Sequence, residues 1–370
     1  MQVKGRNAAG FSILELMIAL LLGLVVVAGI VQLFVGNSRT YEIVNAQSRL
    51  QENARFAFEF ITRAARSAGY FGCAPEADKI ANQLQAGSNW GNVPEYNLFE
   101  PVAGWDSNGD GTYVPDDLTT LPRSENGVNV NVHIAGNGID RNELADEADL
   151  LVFRSLRRPT ARLDETLQPT ADPVVSTPGG TPTFAVNDVV MVSDCEQGAV
   201  FRVTQVNTTV DTTTLQRLVT GGGTLFENVD PIVTNTGDVV PATLSLVGRS
   251  YGQDAVVGAV ESTFFFIAPS VQPDNQGNDV NALWQKVGNA APVELIQGVT
   301  DMQIQYGVDL TADNVVNVNR YQTFDAVADP ATIVAVQITL DVTSVDVLAE
   351  LGNQALTRTF SKTIHVRNAG

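Results

Sequence analysis

Residues 11–35, FSILELMIALLLGLVVVAGIVQLFV, form an almost unbroken apolar run, interrupted apart from glycines only by Ser12, Glu15 and Gln32. Leu16 to Val35 wound as a helix, at about 1.5 Å per residue, spans about 30 Å, the thickness of a bilayer's hydrocarbon core. Such a segment must end in lipid or among other apolar helices. Ahead of it lies a short polar leader, MQVKGRNAAG, with Lys4 and Arg6. Positive charge on that flank holds an N-terminus in the cytoplasm. A secretory signal would close on a small-residue cleavage site, and the segment after Val35 shows none.

The helical pattern continues past the apolar run. Tyr41, Val44, Leu50, Ala54, Phe58, Ile61 and Ala65 recur at steps near three and four, an amphipathic stripe. Arg49, Glu52, Arg55, Glu59 and Arg63 alternate in sign on the polar side. No Pro occurs between Met1 and Ala74. The spacing predicts one long helix from about Phe11 to about Ala68, ending near Gly69. Half of it lies in the membrane and half on a soluble domain. Glu15 is the anomaly, because a carboxylate in an apolar helix costs a few kcal/mol unless it is paired. It either snorkels to the interface or meets a cation supplied by another molecule.

The chain has 22 Lys plus Arg against 41 Asp plus Glu, a net charge of −19. That balance argues against a nucleic-acid partner, which requires clustered cations facing phosphate. Two His and two Cys leave little material for a multi-ligand zinc or iron site. The acidity belongs to residues 71–370, since residues 37–70 hold five Arg and three Glu. It keeps the globular part soluble.

Gly10-Phe11-Ser12-Ile13-Leu14-Glu15-Leu16 resembles the class III signal of type IV pilins and pseudopilins. The resemblance implies cleavage after Gly10 by a prepilin peptidase and N-methylation of Phe11. It also implies an assembly role for Glu15, which attracts the N-terminal amine of a neighbouring subunit. Four further segments resemble the PilW group of minor pilins: GYFGCAP at 69–75, DC with AVFRVT at 194–204, LIQGVTDMQIQYGVD at 295–309 and RTFSKTIHVRN at 358–368. A member of that group is a low-abundance pilus subunit. It is expected to help start pilus assembly, to end at or near the tip, and to support motility and adhesion. Its implied partners are other minor pilins, the major pilin, the prepilin peptidase and the inner-membrane assembly platform. Its implied location is the inner membrane, N-terminus in and globular part periplasmic, and then the pilus surface.

The expected organisation is a leader at 1–10, a transmembrane or filament-core helix at 11–36 and its amphipathic continuation at 37–70. An irregular loop-rich region follows at 71–146, with short helices around EADKIANQLQAG, and then a β-rich globular domain at 147–370. Strand signals there include DLLVFRSLR, AVESTFFFIAP, DMQIQYGVD and TIVAVQITLDVTS, with alternation in Met302, Ile304, Tyr306 and in Val334, Val336, Ile338, Leu340. The fold class is α+β, one long N-terminal helix laid against antiparallel sheet with a large loop insertion.

Cys73 and Cys195 are the only cysteines. In an oxidising compartment an even count favours a disulfide, which would staple the end of the helix to the sheet. Residues 106–117, DSNGDGTYVPDD, space oxygen ligands as an EF-hand or dockerin calcium loop does: Asp106, Asn108, Asp110, the Thr112 carbonyl and Asp117. The alternative is a solvated Asx/Gly turn. No cofactor is required, and Ca2+ is the one ligand suggested. Gly248-Arg249-Ser250-Tyr251-Gly252 fits a hydrolase nucleophile pattern, with Asp301 or Asp309 and His365 following in order. The helix such a Ser needs after it is absent from the pattern, so the chain reads as an assembly protein, not an enzyme. Two alternatives stay open at this stage: a pseudopilin of a type II secretion system, and a membrane-tethered serine hydrolase.

Overall fold

The computed structural model describes residues 12–72, 80–84, 100–107, 113–114, 144–145, 147–157, 160–168, 171–179, 184–217, 228–233, 239–240, 250–288, 290–311, 315–348 and 352–366. Helix α1 runs unbroken over Ile13–Ser67, 55 residues and about 82 Å long. Ala46, Leu50, Ala54, Ala57, Phe58, Ile61, Thr62 and Ala65 form its buried stripe. Two residues of the expected stripe depart from it: Tyr41 is 72% and Val44 54% exposed. Ala46 is the first buried residue of the helix, so the apolar periodicity runs about a turn past the surface that covers it. The helix stops at Gly69, whose φ of +74° is a left-handed conformation that glycine adopts without strain. The Gly69 N–H donates to the Arg154 carbonyl at 3.0 Å, tying the helix end to the sheet.

The strands follow in chain order. They are β1 Ile80–Leu84, β2 Val102–Ser107, β3 Tyr113–Val114, β4 Leu150–Leu156, β5 Ala161–Arg162, β6 Val174–Ser176 and β7 Val189–Ser193. Next come β8 Gly198–Arg202, β9 Gln205–Thr208, β10 Thr212–Gln216, β11 Asn228–Val233, β12 Val239–Val240 and β13 Val256–Pro269. The last are β14 Asn281–Val287, β15 Val293–Gln297, β16 Val299–Val308, β17 Arg320–Gln322, β18 Ile333–Thr343 and β19 Thr357–His365. The largest sheet runs β12-β11-β1-β8-β7-β13-β4-β2-β3, with β5 and β14 also on β13 and β15 on β14. β13 joins its two parts: Val256–Ala259 pair with β7 and Val260–Phe265 with β4. A four-stranded sheet runs β17-β16-β18-β19, and a small one β6-β10-β9. The described pairings are antiparallel except β1 with β8. The α+β expectation therefore holds.

The segment expected to be irregular contributes strands. Ile80–Leu84, anticipated as short helix, is β1, held between β8 and β11. Two ready sheet edges outweigh the local helix preference of IANQL. β2 likewise pairs with β4 at Val102↔Phe153 through Trp105↔Leu150.

The main core gathers Leu50, Phe58 and Ile61 of α1 with Trp105, Val152, Phe264, Met302, Tyr306, Ile338 and Leu340. A second core lies under β7, β8, β10 and the start of β13, around Val175, Phe201, Leu215 and Tyr251. The two sheets of the main core are locked by one carboxylate. Asp149, only 4% exposed, accepts from the Ser107 N–H of β2 at 2.9 Å and from the Ile304 N–H of β16 at 2.8 Å. Its own N–H donates to the Met302 carbonyl at 2.8 Å. Beside it the Tyr306 ring reaches β2 where Gly104 leaves room, since a Cβ on Gly104 would sit 1.7 Å from the Tyr306 hydroxyl.

Burial raises the Asp149 carboxyl to about 7, against the two N–H bonds that pull it down. Burial likewise raises Asp106 to about 6. Both groups keep a proton in the folded chain that the unfolded chain gives up near the ordinary carboxylate value. The contribution of these two groups to folding stability is therefore fully present at low pH and is lost as pH rises from about 4 to 7. The melting temperature should fall between pH 5 and pH 8, and Asp149→Asn should flatten that slope while lowering the melting temperature at pH 5. A melt series in which the variant keeps the wild-type slope contradicts this. Gly104→Ala should destabilise by about 1–3 kcal/mol through overpacking against Tyr306, measured by denaturant titration.

Candidate functional site: the N-terminal half of the helix

Gly10 and Phe11 lie outside the described residues, and Ser12 is the position from which α1 starts. The Glu15 and Leu16 N–H groups both donate to the Ser12 carbonyl, at 3.0 and 3.1 Å. This sets Glu15 in the first turn, where the free N–H groups of a helix favour negative charge. Every residue from Ser12 to Glu42 is exposed. Glu15 looks out beside Ser12, Leu14, Ile18, Ala19 and Leu22, a shallow concavity with almost wholly apolar walls. Ile13–Ser67 includes a stretch long and apolar enough to cross a membrane, and none of that stretch is buried within the chain.

The exposure is large and continuous. Leu16, Ile18, Leu20, Leu22, Val26, Ile30 and Phe34 are each more than half exposed. Burying one such side chain is worth roughly 1.5–3 kcal/mol, so this half of α1 is stable only in lipid or against other apolar helices. Such an environment also makes a lone carboxylate costly.

The remaining candidates are distributed elsewhere. Cys195 follows β7 and is disulfide-bonded. Cys73 lies outside the described residues, but its neighbours approach the same place. The Ser193 hydroxyl donates to the Phe71 carbonyl at 3.1 Å, and a Cβ on Gly72 would meet that hydroxyl at 2.5 Å. Of the calcium-loop residues, Asn108, Asp110, Thr112 and Asp117 lie outside the described residues. Asp106 sits in β2, opposite Val114 of β3. Its Oδ2 accepts from the Asp325 N–H at 3.2 Å, and its Oδ1 is buried with no hydrogen-bond partner.

The hydrolase residues are committed elsewhere among the described residues. The Ser250 hydroxyl donates to Gln168 Oε1 at 3.2 Å, and His365 pairs with Ala335 at a sheet edge. Asp309 accepts from the Thr311 and Asn317 N–H groups, and Asp301 accepts from Gln303. The sequence reading missed Asp149 and Gly104. Each is a single residue in or beside an apolar strand, and nothing local separates it from an ordinary strand residue.

Residues 5–31 match the prokaryotic N-terminal methylation motif, which spans Gly10, Phe11 and Glu15. Residues 270–369 match the family described as type IV pilus-assembly protein W, a stretch that begins directly after β13 and takes in β14 to β19. The resembling segments at 69–75 and 194–204 fall outside both matches. No curated protein and no solved structure matches the chain. The family is one of structural assembly proteins, which sets the hydrolase alternative aside. The bare apolar half-helix, the methylation motif over its start and the matched C-terminal sheet are the features this chain shares with the type IV pilus-assembly protein W family.

Proposed function

We propose that this protein is a minor pilin that takes part in starting type IV pilus assembly and is carried at or near the pilus tip. In that role it supports pilus-dependent motility and adhesion. The observation that carries the reading is the division of α1. Residues 46–65 are docked on the globular part, while the apolar residues from Ile13 to Val35 are exposed. A subunit built this way waits in the inner membrane as a prepilin, N-terminus in and globular part periplasmic. It leaves lipid only by exchanging it for the helices of other pilins.

Cleavage after Gly10 by the prepilin peptidase frees an amine on Phe11, which is then methylated and stays cationic. Four residues on, Glu15 supplies the opposite charge. One subunit's Phe11 amine against another's Glu15 neutralises both in a medium of low dielectric, and it fixes the axial offset between helices. The assembly platform, the major pilin and other minor pilins are the partners this chemistry calls for. The match to a pilus-assembly family favours the pilus over a type II secretion system.

Two proposed features support the exported head. A Cys73–Cys195 disulfide fits the approach of Phe71 and Gly72 to Ser193. The Asp106 loop is proposed to hold Ca2+, with Asp106 Oδ1 as the described ligand atom still lacking a partner. Asn108, Asp110, the Thr112 carbonyl and Asp117 would complete the set.

Mass spectrometry of natural pili should find the mature chain beginning at N-methylated Phe11; a chain still beginning at Met1 overturns the reading. Glu15→Val should leave membrane insertion intact and cut incorporation into pili at least about tenfold, the scale of a lost ion pair of more than 1.4 kcal/mol. Normal piliation in that variant contradicts the proposed pairing. Millimolar Ca2+ should raise the melting temperature and slow proteolysis within residues 106–117, and EDTA should reverse both. No response to Ca2+ removes the metal from the account.

A further inference from the structure

β19 is the outer strand of the four-stranded sheet. It pairs with β18 in nine consecutive positions, from Ala335↔His365 to Thr343↔Thr357, without a bulge. No described strand lies on its other side. Along its nine residues only Ile364 is buried. Regular edges of this length are usually blunted by bulges, prolines, short strands or charged side chains, because their free N–H and C=O groups are a template for another strand; of these devices β19 has only the charges of Arg358 and Lys362, which repel a basic strand and admit an acidic one. β19 shows no bulge in its register and contains no proline.

Its charge is opposite to that of the domain around it. β19 carries Arg358 and Lys362 and no acid, in a chain of net charge −19. Lys362 lies over the seam with α1: its Nζ donates to Thr62 Oγ1 at 3.0 Å and stands 5.9 Å from the centre of the Phe58 ring. Arg55, Thr62 and Arg66 share one stripe of α1 at helical spacing, so two further cations flank the same seam. The acids nearby are already engaged. Glu59 pairs with Arg63, and Asp341 of β18 accepts from the Thr359 hydroxyl. Among the described residues, neither Arg358 nor Lys362 forms an ion pair.

We propose that the free edge of β19 is a docking site that takes up an extended, acid-bearing strand from a neighbouring subunit of different sequence. Main-chain hydrogen bonds along β19 supply the attachment. Arg358 and Lys362, backed by Arg55 and Arg66, select Glu or Asp at the facing positions. A second copy of this chain is a poor occupant, because two β19 strands would place four cations in one ladder with no acid between them. The edge stands beside the docked half of α1, on the element whose bare half packs against neighbours, so a subunit packed along α1 brings its own head to this strand. That the occupant is a neighbouring subunit rests on the assembly reading above; the recognition chemistry does not.

The test uses the full chain in detergent micelles and a peptide as long as β19 that alternates Glu with Val and Thr; the control carries Lys in place of Glu. The acidic peptide should bind at least about tenfold more tightly than the basic one. It should also slow hydrogen exchange at alternate amides of β19. Arg358→Glu should abolish the preference with the melting temperature unchanged. Equal binding of the two peptides, or protection confined to other strands, overturns the proposal. The same exchange experiment on isolated pili should show β19 protected. Protection by peptide in a chain that never enters pili would refute the assembly reading and leave the acidic-strand site standing.

Discussion

The structure depends on what water will not tolerate. Leu16 to Val35 places about 30 Å of apolar helix beyond the edge of the globular part, and no segment described folds back to cover it. Removing that surface from water is worth more than the net stability of an ordinary domain. The chain therefore has no stable state as an isolated soluble monomer. Its stable states are in a bilayer or in a bundle of apolar helices, and in the proposed role function lies in the passage between them. In the proposed role Glu15 would make the passage selective, since lipid offers a carboxylate no partner and a bundle with a buried amine would.

The docked half of α1 is built to survive that passage. Its small residues, Ala46, Ala54, Ala57 and Ala65, let the helix lie close to the sheets, while Leu50, Phe58 and Ile61 fill the space between. Gly69 ends the helix and returns the chain to Arg154 of β4 within two residues of Ser67. Asp149 then joins β2 to β16. The head is thus fixed to its helix through hydrogen bonds at the end of α1 and an interlocked apolar core along its length.

Much of this was legible in the sequence, for physical reasons that differ from element to element. α1 was clear because an almost unbroken apolar run leads, without proline, into a stripe that recurs at the helical period from Tyr41 to Ala65, about seven turns. β16 and β18 were clear because their alternation matches one buried and one wetter face, and β13 because its β-branched and aromatic run suits a strand buried along most of its length. β1 was not: IANQL carries no strand pattern, and its conformation comes from β8 and β11, which are more than a hundred residues away. Tyr41 and Val44 continue the helix's apolar period, but nothing in the sequence marks where the covering surface ends. At the candidate site the methylation motif was legible because its residues lie close together in one short segment at the start of the apolar run. Asp149 was hidden because its work is done with Ser107 and Ile304, 42 and 155 residues away. Lys362 read as one charge on a strand, and its place over Phe58 exists only once α1 and β19 are packed.

The close coupling at the end of α1 has a mechanical consequence. A pull on the head is carried into the rod at Gly69, Tyr70 and Phe71, where the chain bonds to Arg154, Leu156 and Ser193 in turn. Those bonds lie on two strands, β4 and β7, both paired to β13. Tension is shared across neighbouring ladders, and no single pair is peeled open from its end. A head attached in this way resists detachment under load for longer than one hung from a flexible linker.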